Sequence, residues 1–367
     1  MKIAFYGSSL LSAYWNGAAT YYRGIIRALA ALGHEITFYE PDIYDRQKHR
    51  DMDAPGWCRV VVYQPTQSDL LRVCGEAADA DVVIKASGVG FADDCLPGLL
   101  QRQARRDALT IFWDVDAPAT LAELFAAPEH PLRAALSGFS LVLTYGGGAP
   151  VISAYRALGA DCCVPVYNAL DPSTHHPVLP RAEFAADLGF LGNRLPDREA
   201  RVESFFLEPA ARMVDQRFLL GGSGWEDKPM AANIRRLGHV STRDHNAFNV
   251  TPKAVLNISR ADMARTGFSP ATRVFEAAGA AACLITDHWE GIEQFLTPGE
   301  EVLVARDGRD VEEILTGLGR QEARAIGVKA LQRVLKDHTY DNRALALHEL
   351  LGRRKAISAE QKREGVA

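Results

Sequence analysis

The stretch RVFEAAGAAACLITD (273–287) sets a cation, Arg273, three residues before a carboxylate, Glu276, and follows them with a run of very small side chains. At that spacing the two charges share nearly one face of a helix. The preceding ARTGFSPAT supplies a helix start: Ser269 suits the N-cap, Pro270 the first helical position, and Thr272 and Arg273 the first turn. The open N–H groups and positive dipole of such an end attract anions. A guanidinium with N–H groups suits a diphosphate, and a carboxylate beside them suits the two hydroxyls of a ribose. A nucleoside diphosphate is the ligand that fits both. The tiny residues 277–282 let the helix lie close on a sheet.

Other charged residues stand where a buried parallel strand should be apolar. Lys85 ends DVVIKAS and Asp114 ends LTIFWD, and desolvating either is costly unless it is paired or faces a wet cleft. Asp114-Val115-Asp116 spells DxD, a pattern that holds a divalent metal in a different transferase fold. In these surroundings a base or a sugar-hydroxyl acceptor is the better reading, with no metal site. Gly192-Asn193-Arg194 and GGSGW (221–225, with Gly222 and Ser223) admit a ligand close to the backbone, and Arg194 can fork onto phosphate. Plain turns explain both loops equally well. Asn16, Thr20 and Arg23 open a helix after the first strand, where they face the same crevice or serve as cap and surface charge.

These residues need strands behind them. KIAFYG (2–7), HEITFYE (34–40), RVVVY (59–63), DVVIKAS (81–87), LTIFWD (109–114) and SLVLTY (140–145) are short runs rich in Val, Ile and aromatics, separated by helical stretches such as 18–32. The pattern predicts a parallel sheet covered on both faces. A Pro-rich stretch, 165–185, interrupts it, with the linker placed at 171–185. The alternation then restarts at ADLGFLG (186–192), a helix over 197–214, RFLLGG (217–222), AVLNIS (254–259), ACLITD (282–287) and EVLVAR (301–306). Helices at 310–318 and 321–352 follow, then a frayed polar tail (353–367). The expectation is two Rossmann-like, doubly wound α/β domains, 1–170 and 186–352, facing across a cleft, with ligands at the carboxyl ends of the strands and the last helix free to cross back onto the first domain.

Composition narrows the chemistry. A net charge of −5 and 24% charged residues give no field for nucleic acid. No apolar run is long enough to span a bilayer, and the start MKIAFYG runs directly into a strand without a signal peptide. The six cysteines lack CxxC spacing and read as reduced, which places the protein in the cytoplasm. The loop GSSLLSAYWNGAATYYR does not fit GxGxxG, so a nicotinamide dehydrogenase is disfavoured. Nothing in the sequence reports oligomeric state.

NISRADMARTGFSPATRVFEAAGAAACLITDHWEGIEQFLTPGEEVLVA resembles the C-terminal domain of group 1 glycosyltransferases, nearest to the spore-maturation CgeB-like branch. LGNRLPDREARVE, RFLLGGSGW, HTY (338–340) with Arg343, and in the first half WNGAATYYRGIIRALAALGHEITFYE and FWDVDAP, are similar to the same branch. The resemblance implies a GT-B architecture with an activated sugar on the second domain and an acceptor approached from the first. It places Glu276 on the donor ribose, Arg194 at the diphosphate, and His239-Val240 against the base. The implied reaction transfers a sugar from a nucleoside-diphosphate sugar to an acceptor, requiring no cofactor. A nucleotide-sugar epimerase or an inactive nucleotide binder on the same scaffold are the alternatives. One departure stands out: the earlier glutamate of the family's E-x7-E pattern is Phe268 here, which leaves the donor sugar and the stereochemical outcome open.

Overall fold

The computed structural model describes residues 1–14, 16–88 and 90–364, with side chains as far as Ile357. Internal contacts divide the chain into two compact units, one of Met1–Tyr167 with the segment from Tyr340 onward, the other Asn168–Thr339.

The first unit carries β1 (Lys2–Tyr6), β2 (Glu35–Pro41), β3 (Arg59–Tyr63), β4 (Val82–Ala86), β5 (Leu109–Asp114), β6 (Leu141–Thr144) and β7 (Cys163–Pro165). All pair in parallel, in the order β3-β2-β1-β4-β5-β6-β7. Between them run α1 (Ala19–Ala31), α2 (Gln67–Gly75), α3 (Leu96–Gln103), α4 (Ala117–Ala126), α5 (Pro131–Ala135) and α6 (Gly148–Ala157). Strand periodicity sends Ala4, Tyr6 and Val83 into one apolar layer with Leu70 and Val73 of α2. Phe5 points the other way, stacking on Phe38 and meeting Tyr22 of α1 edge-on.

The second unit carries β8 (Leu188–Leu191), β9 (Phe218–Gly221), β10 (Ile234–Gly238), β11 (Ala254–Asn257), β12 (Leu284–Asp287) and β13 (Leu303–Ala305), parallel in the order β10-β9-β8-β11-β12-β13. Its helices are α7 (Glu199–Val202), which passes through a π turn into α8 (Glu208–Arg212), then α9 (His245–Val250), α10 (Ala261–Thr266), α11 (Thr272–Gly279), α12 (Gly308–Gly317) and α13 (Arg320–Asp337). Each sheet reverses its strand order beside its first strand, at β1/β4 and at β8/β11, which is where a doubly wound sheet opens a crevice.

Several sequence expectations change. The helix expected over 321–352 is two: α13 stops at His338–Thr339, where Leu170 accepts an extended pairing, its N–H donating to the His338 carbonyl at 2.8 Å. The chain then starts α14 (Tyr340–Glu364), which belongs to the first unit. A Cβ on Gly24 would sit 2.3 Å from the Tyr340 ring, so α1 keeps a glycine where that ring lies on it. The tail from 353 is helical to Glu364 rather than frayed; residues 365–367 of that expectation lie outside the described residues. The stretch 171–185 packs on the second unit instead of hanging between domains: Asn246 donates to the Thr174 carbonyl, Arg181 pairs with Asp244, and Phe184 joins the core beside Phe248. Strands β7 and β10 were not anticipated. β10 is an edge strand reading IRRLG, so it lacks the apolar run of a buried strand.

Candidate functional site

The small residues after Glu276 do more than approach the sheet. A Cβ on Gly279 would fall 2.3 Å from Leu170, and one on Gly327 of α13 would fall 2.2 Å from the Ala281 carbonyl. Helix α11 is therefore clamped between α13 and the 168–176 segment. Its start is two residues later than expected. Ala271 occupies the N-cap with no side-chain cap, while Ser269 is buried and donates back to the Gly267 carbonyl at 2.9 Å. With its hydroxyl turned back to Gly267, Ser269 caps no N–H of α11. Thr272 becomes the first helical residue, and its hydroxyl oxygen accepts from Asn168 at 3.0 Å.

Arg273 and Glu276 lie together in that first turn, 3.6 Å apart and each mostly buried. Arg273 also donates to Asn249 of α9 at 3.3 Å. Two histidines the sequence reading passed over complete the cluster. His175 approaches Glu276 to 3.8 Å, and His245 of α9 stands near it, so that a ligating atom of each of the three lies within 4.8 Å of the others. Burial opposes charge on Glu276, but Arg273 and the imidazoles outweigh it and hold the carboxyl below its ordinary value. Burial, reinforced by Arg273, lowers His175 and pushes His245 down to about 4, against the pull of Glu276. Burial thus biases both imidazoles towards their neutral forms beside the Glu276 carboxylate. No local pattern links His175, in a Pro-rich stretch, to His245 seventy residues later; only the fold joins them.

The loops after β8 and β9 are bound to each other. Gly222 has φ +120°, and a Cβ there would lie 2.2 Å from the Gly192 carbonyl, so its glycine serves loop packing. Exposed Asn193 accepts from the Ser223 N–H at 3.0 Å. Arg194, expected at the diphosphate, is occupied: it forks onto Glu199 at 2.7 and 2.8 Å and reaches Asp227 at 2.9 Å. Its neighbour Arg198 is the better anion group. Arg198 lies over the Phe190 ring, gives one N–H to the Asn193 carbonyl, and has a buried Nε without a hydrogen-bond partner. Burial lowers its pKa, as do the nearby charges of Arg273 and Arg260. An arginine four positions beyond Arg194 was the available signal. At the end of β10, exposed His239 lines a cavity of about 400 Å³ with Ser241 and Asp244. Val240 turns its side chain into the core, and its carbonyl accepts from the His245 ring at 3.3 Å.

In the first unit most expected cleft groups prove to be internal ties. Asp114 has 0% exposure. Its carboxylate accepts from Ser87 at 2.7 Å, from the Asp116 N–H and Thr120 at 3.0 Å, and from the Tyr155 hydroxyl. Burial raises its pKa against those hydrogen bonds. An enclosed and saturated carboxylate holds the β5–α4 turn and cannot reach a substrate. Asp116 is half-buried at the start of α4. Lys85 is buried and paired with Asp93 at 2.7 Å. Asn16 is buried, accepting from Ser8 and donating to the Ser9 and Ser12 carbonyls. Arg23 forks onto Asp51 and donates to the Leu10 carbonyl. Thr20 is exposed on α1.

Residues 198–349 match the sequence family described as Glycosyl transferase-like. The backbone as a whole follows solved glycosyltransferase structures. The fold is GT-B. Sucrose-phosphate synthase from Thermosynechococcus elongatus superposes over 97% of this chain and 100% of its own with a TM-score of 0.70 at 14% identity. The HepE protein of Anabaena in complex with UDP and glucose superposes over 96% and 99% with 0.66 at 14% identity. T4 phage BGT in complex with its UDP-glucose substrate does so over 96% and 99% with 0.58 at 11% identity. No curated protein matches the chain in sequence. Among the described residues, no helix is long and apolar enough to cross a membrane.

Proposed function

We propose that this glycosyltransferase-like protein moves a sugar from a nucleoside-diphosphate sugar to a hydroxyl-bearing acceptor without a metal ion, and that the second unit holds the donor. The observation that carries the reading is the Arg273–Glu276 pair in the first turn of α11, inside the stretch that matches the glycosyl transferase-like family. Glu276 is ionised and offers acceptor oxygens to the ribose hydroxyls. Charge growing on the departing diphosphate is met by Arg273, Arg198 and the N–H groups opening α11, positioned in advance of the reaction. The base is assigned to the backbone near His239 and Val240. In the first unit Asp116 is the carboxylate assigned to the acceptor or the transferred sugar, with Asp114 as its support.

UDP is the first nucleotide to test, because solved structures of this fold hold UDP or UDP-glucose. Membership in the CgeB-like branch and a cytoplasmic site of action belong to the same proposal, the latter supported by six unpaired cysteines. A panel of UDP-, GDP- and dTDP-sugars, read first by thermal stabilisation and then by acceptor-dependent nucleotide release in EDTA, tests it. Stabilisation by one nucleotide class and turnover that survives EDTA are expected. No stabilisation by any of them removes the donor site, and activity lost in EDTA removes the metal-free mechanism.

A further inference from the structure

We propose that His175, His245 and Glu276 form a binding site for a divalent transition-metal ion of the zinc type, and that this ion and the nucleotide exclude one another. The second half rests on the function proposed above; the first does not.

The case starts from where the ring protons are. The Thr174 hydroxyl has one proton, which it donates to the Asp171 carbonyl at 3.1 Å. With that proton so placed, its oxygen accepts from His175 Nδ1 at 3.0 Å, which turns the Nε2 lone pair toward the cluster. His245 Nε2 faces the Val240 carbonyl at 3.3 Å, and a carbonyl can only accept, so Nδ1 carries the lone pair. Both of these nitrogens are buried without a hydrogen-bond partner. Both rings thus bring a lone pair, and no proton, to a cluster whose third member is a carboxylate. Three acceptors converge, and Arg273 beside them meets only Oε2 of Glu276, so the two imidazole lone pairs and Oε1 are left facing a place for a cation.

The donor set names the kind of ion. Two imidazoles and one carboxylate, with a fourth position open, match a zinc site; magnesium and calcium prefer all-oxygen shells. Each imidazole gives its outer N–H to an oxygen, which is how metal-bound histidines are held in tautomer and orientation. The ligating atoms lie within 4.8 Å of each other, and tetrahedral zinc bonds of about 2.0–2.1 Å bring ligands to roughly 3.4 Å. Binding an ion would therefore draw the three side chains together. The 168–176 segment, α9 and α11 supply one ligand each, all within the second unit. Arg273 opposes the ion, but it stands against Oε2 of Glu276 while His175 faces Oε1. Its removal should therefore act with the opposite sign to removal of a ligand.

Full-length protein stripped of metal is titrated with Zn²⁺ by calorimetry and with Co²⁺ by visible absorption. One ion per chain is expected. His175→Ala and His245→Ala should each weaken it roughly tenfold or more, and Arg273→Gln should tighten it. The cobalt spectrum should show tetrahedral bands without thiolate charge transfer, which separates this site from the cysteines. Circular dichroism confirms that each variant is folded. Unsaturable binding, thiolate bands, or equal affinity in both folded histidine variants overturns the site. UDP should raise the apparent dissociation constant of Zn²⁺; UDP that binds without moving it overturns the exclusion. UDP that does not bind at all overturns the functional reading instead, and the zinc titration alone then decides the site.

Discussion

Asp114 and Glu276 are both carboxylates beside the carboxyl ends of parallel strands, yet their surroundings assign them opposite duties. Asp114 is enclosed and accepts hydrogen bonds from three side chains and a backbone N–H. Asp114→Ala strands those donors in a buried space and should cost on the order of 3 kcal/mol of stability, read as a lower urea midpoint, with UDP affinity retained. An unchanged midpoint would return Asp114 to the list of reactive groups. Among the described residues the Glu276 carboxylate accepts no hydrogen bond, Arg273 and His175 approaching it only to 3.6 and 3.8 Å, so its oxygens are available. Glu276→Ala should weaken UDP binding by about 1–3 kcal/mol. Equal affinity in calorimetry would refute its contact with the ribose. Residue type alone could not separate the two, because what silences Asp114 is Tyr155, forty-one positions later. The same blindness hid His175 and His245.

Among the elements, the buried strands were legible, since their Val, Ile and aromatic runs are the direct imprint of burial on both faces. The edge strand β10 and the break between α13 and α14 were not, because the first lacks that imprint and the second depends on Leu170, remote in sequence. The helix that follows the break, α14, also carries a pH response. His34, just before β2, meets His348 of α14 at 2.9 Å. Burial, the chain's amino terminus and His348 together lower the His34 pKa to about 4. The unfolded chain then binds a proton that the folded chain refuses between about pH 6.5 and 4. Stability from this group is whole above pH 6.5 and falls as the pH drops through that window. At pH 5 the loss should be on the order of 1–2 kcal/mol. Melting temperatures of wild type and His34→Gln from pH 8 to 5 check it: the variant should lose less on acidification, and parallel curves would exclude the histidine pair as a cause.

For the molecule as a whole, two parallel sheets in series were readable from the repeated strand–helix alternation, and the return of the last helix to the first domain was readable only as an option. Sequence order put 186–352 in the second domain and left open that its last helix crosses back to the first; the point of crossing, Tyr340, was not legible. Packing assigns α14 to the first unit, where Tyr340, Ala344, Leu347 and Leu351 are buried. A chain ending at Thr339 keeps every strand of both sheets and the Leu170–Thr339 pairing of the second unit. It loses the side chains that cover Gly24 and its neighbours on α1, an apolar burial worth on the order of 5 kcal/mol. Calorimetry of that shortened chain should show the first unit melting early while the second persists, with UDP raising only the later transition. If the two units instead melt together at the wild-type temperature, α14 does not hold the first unit together, and the early Gly24 has no structural reason to be a glycine.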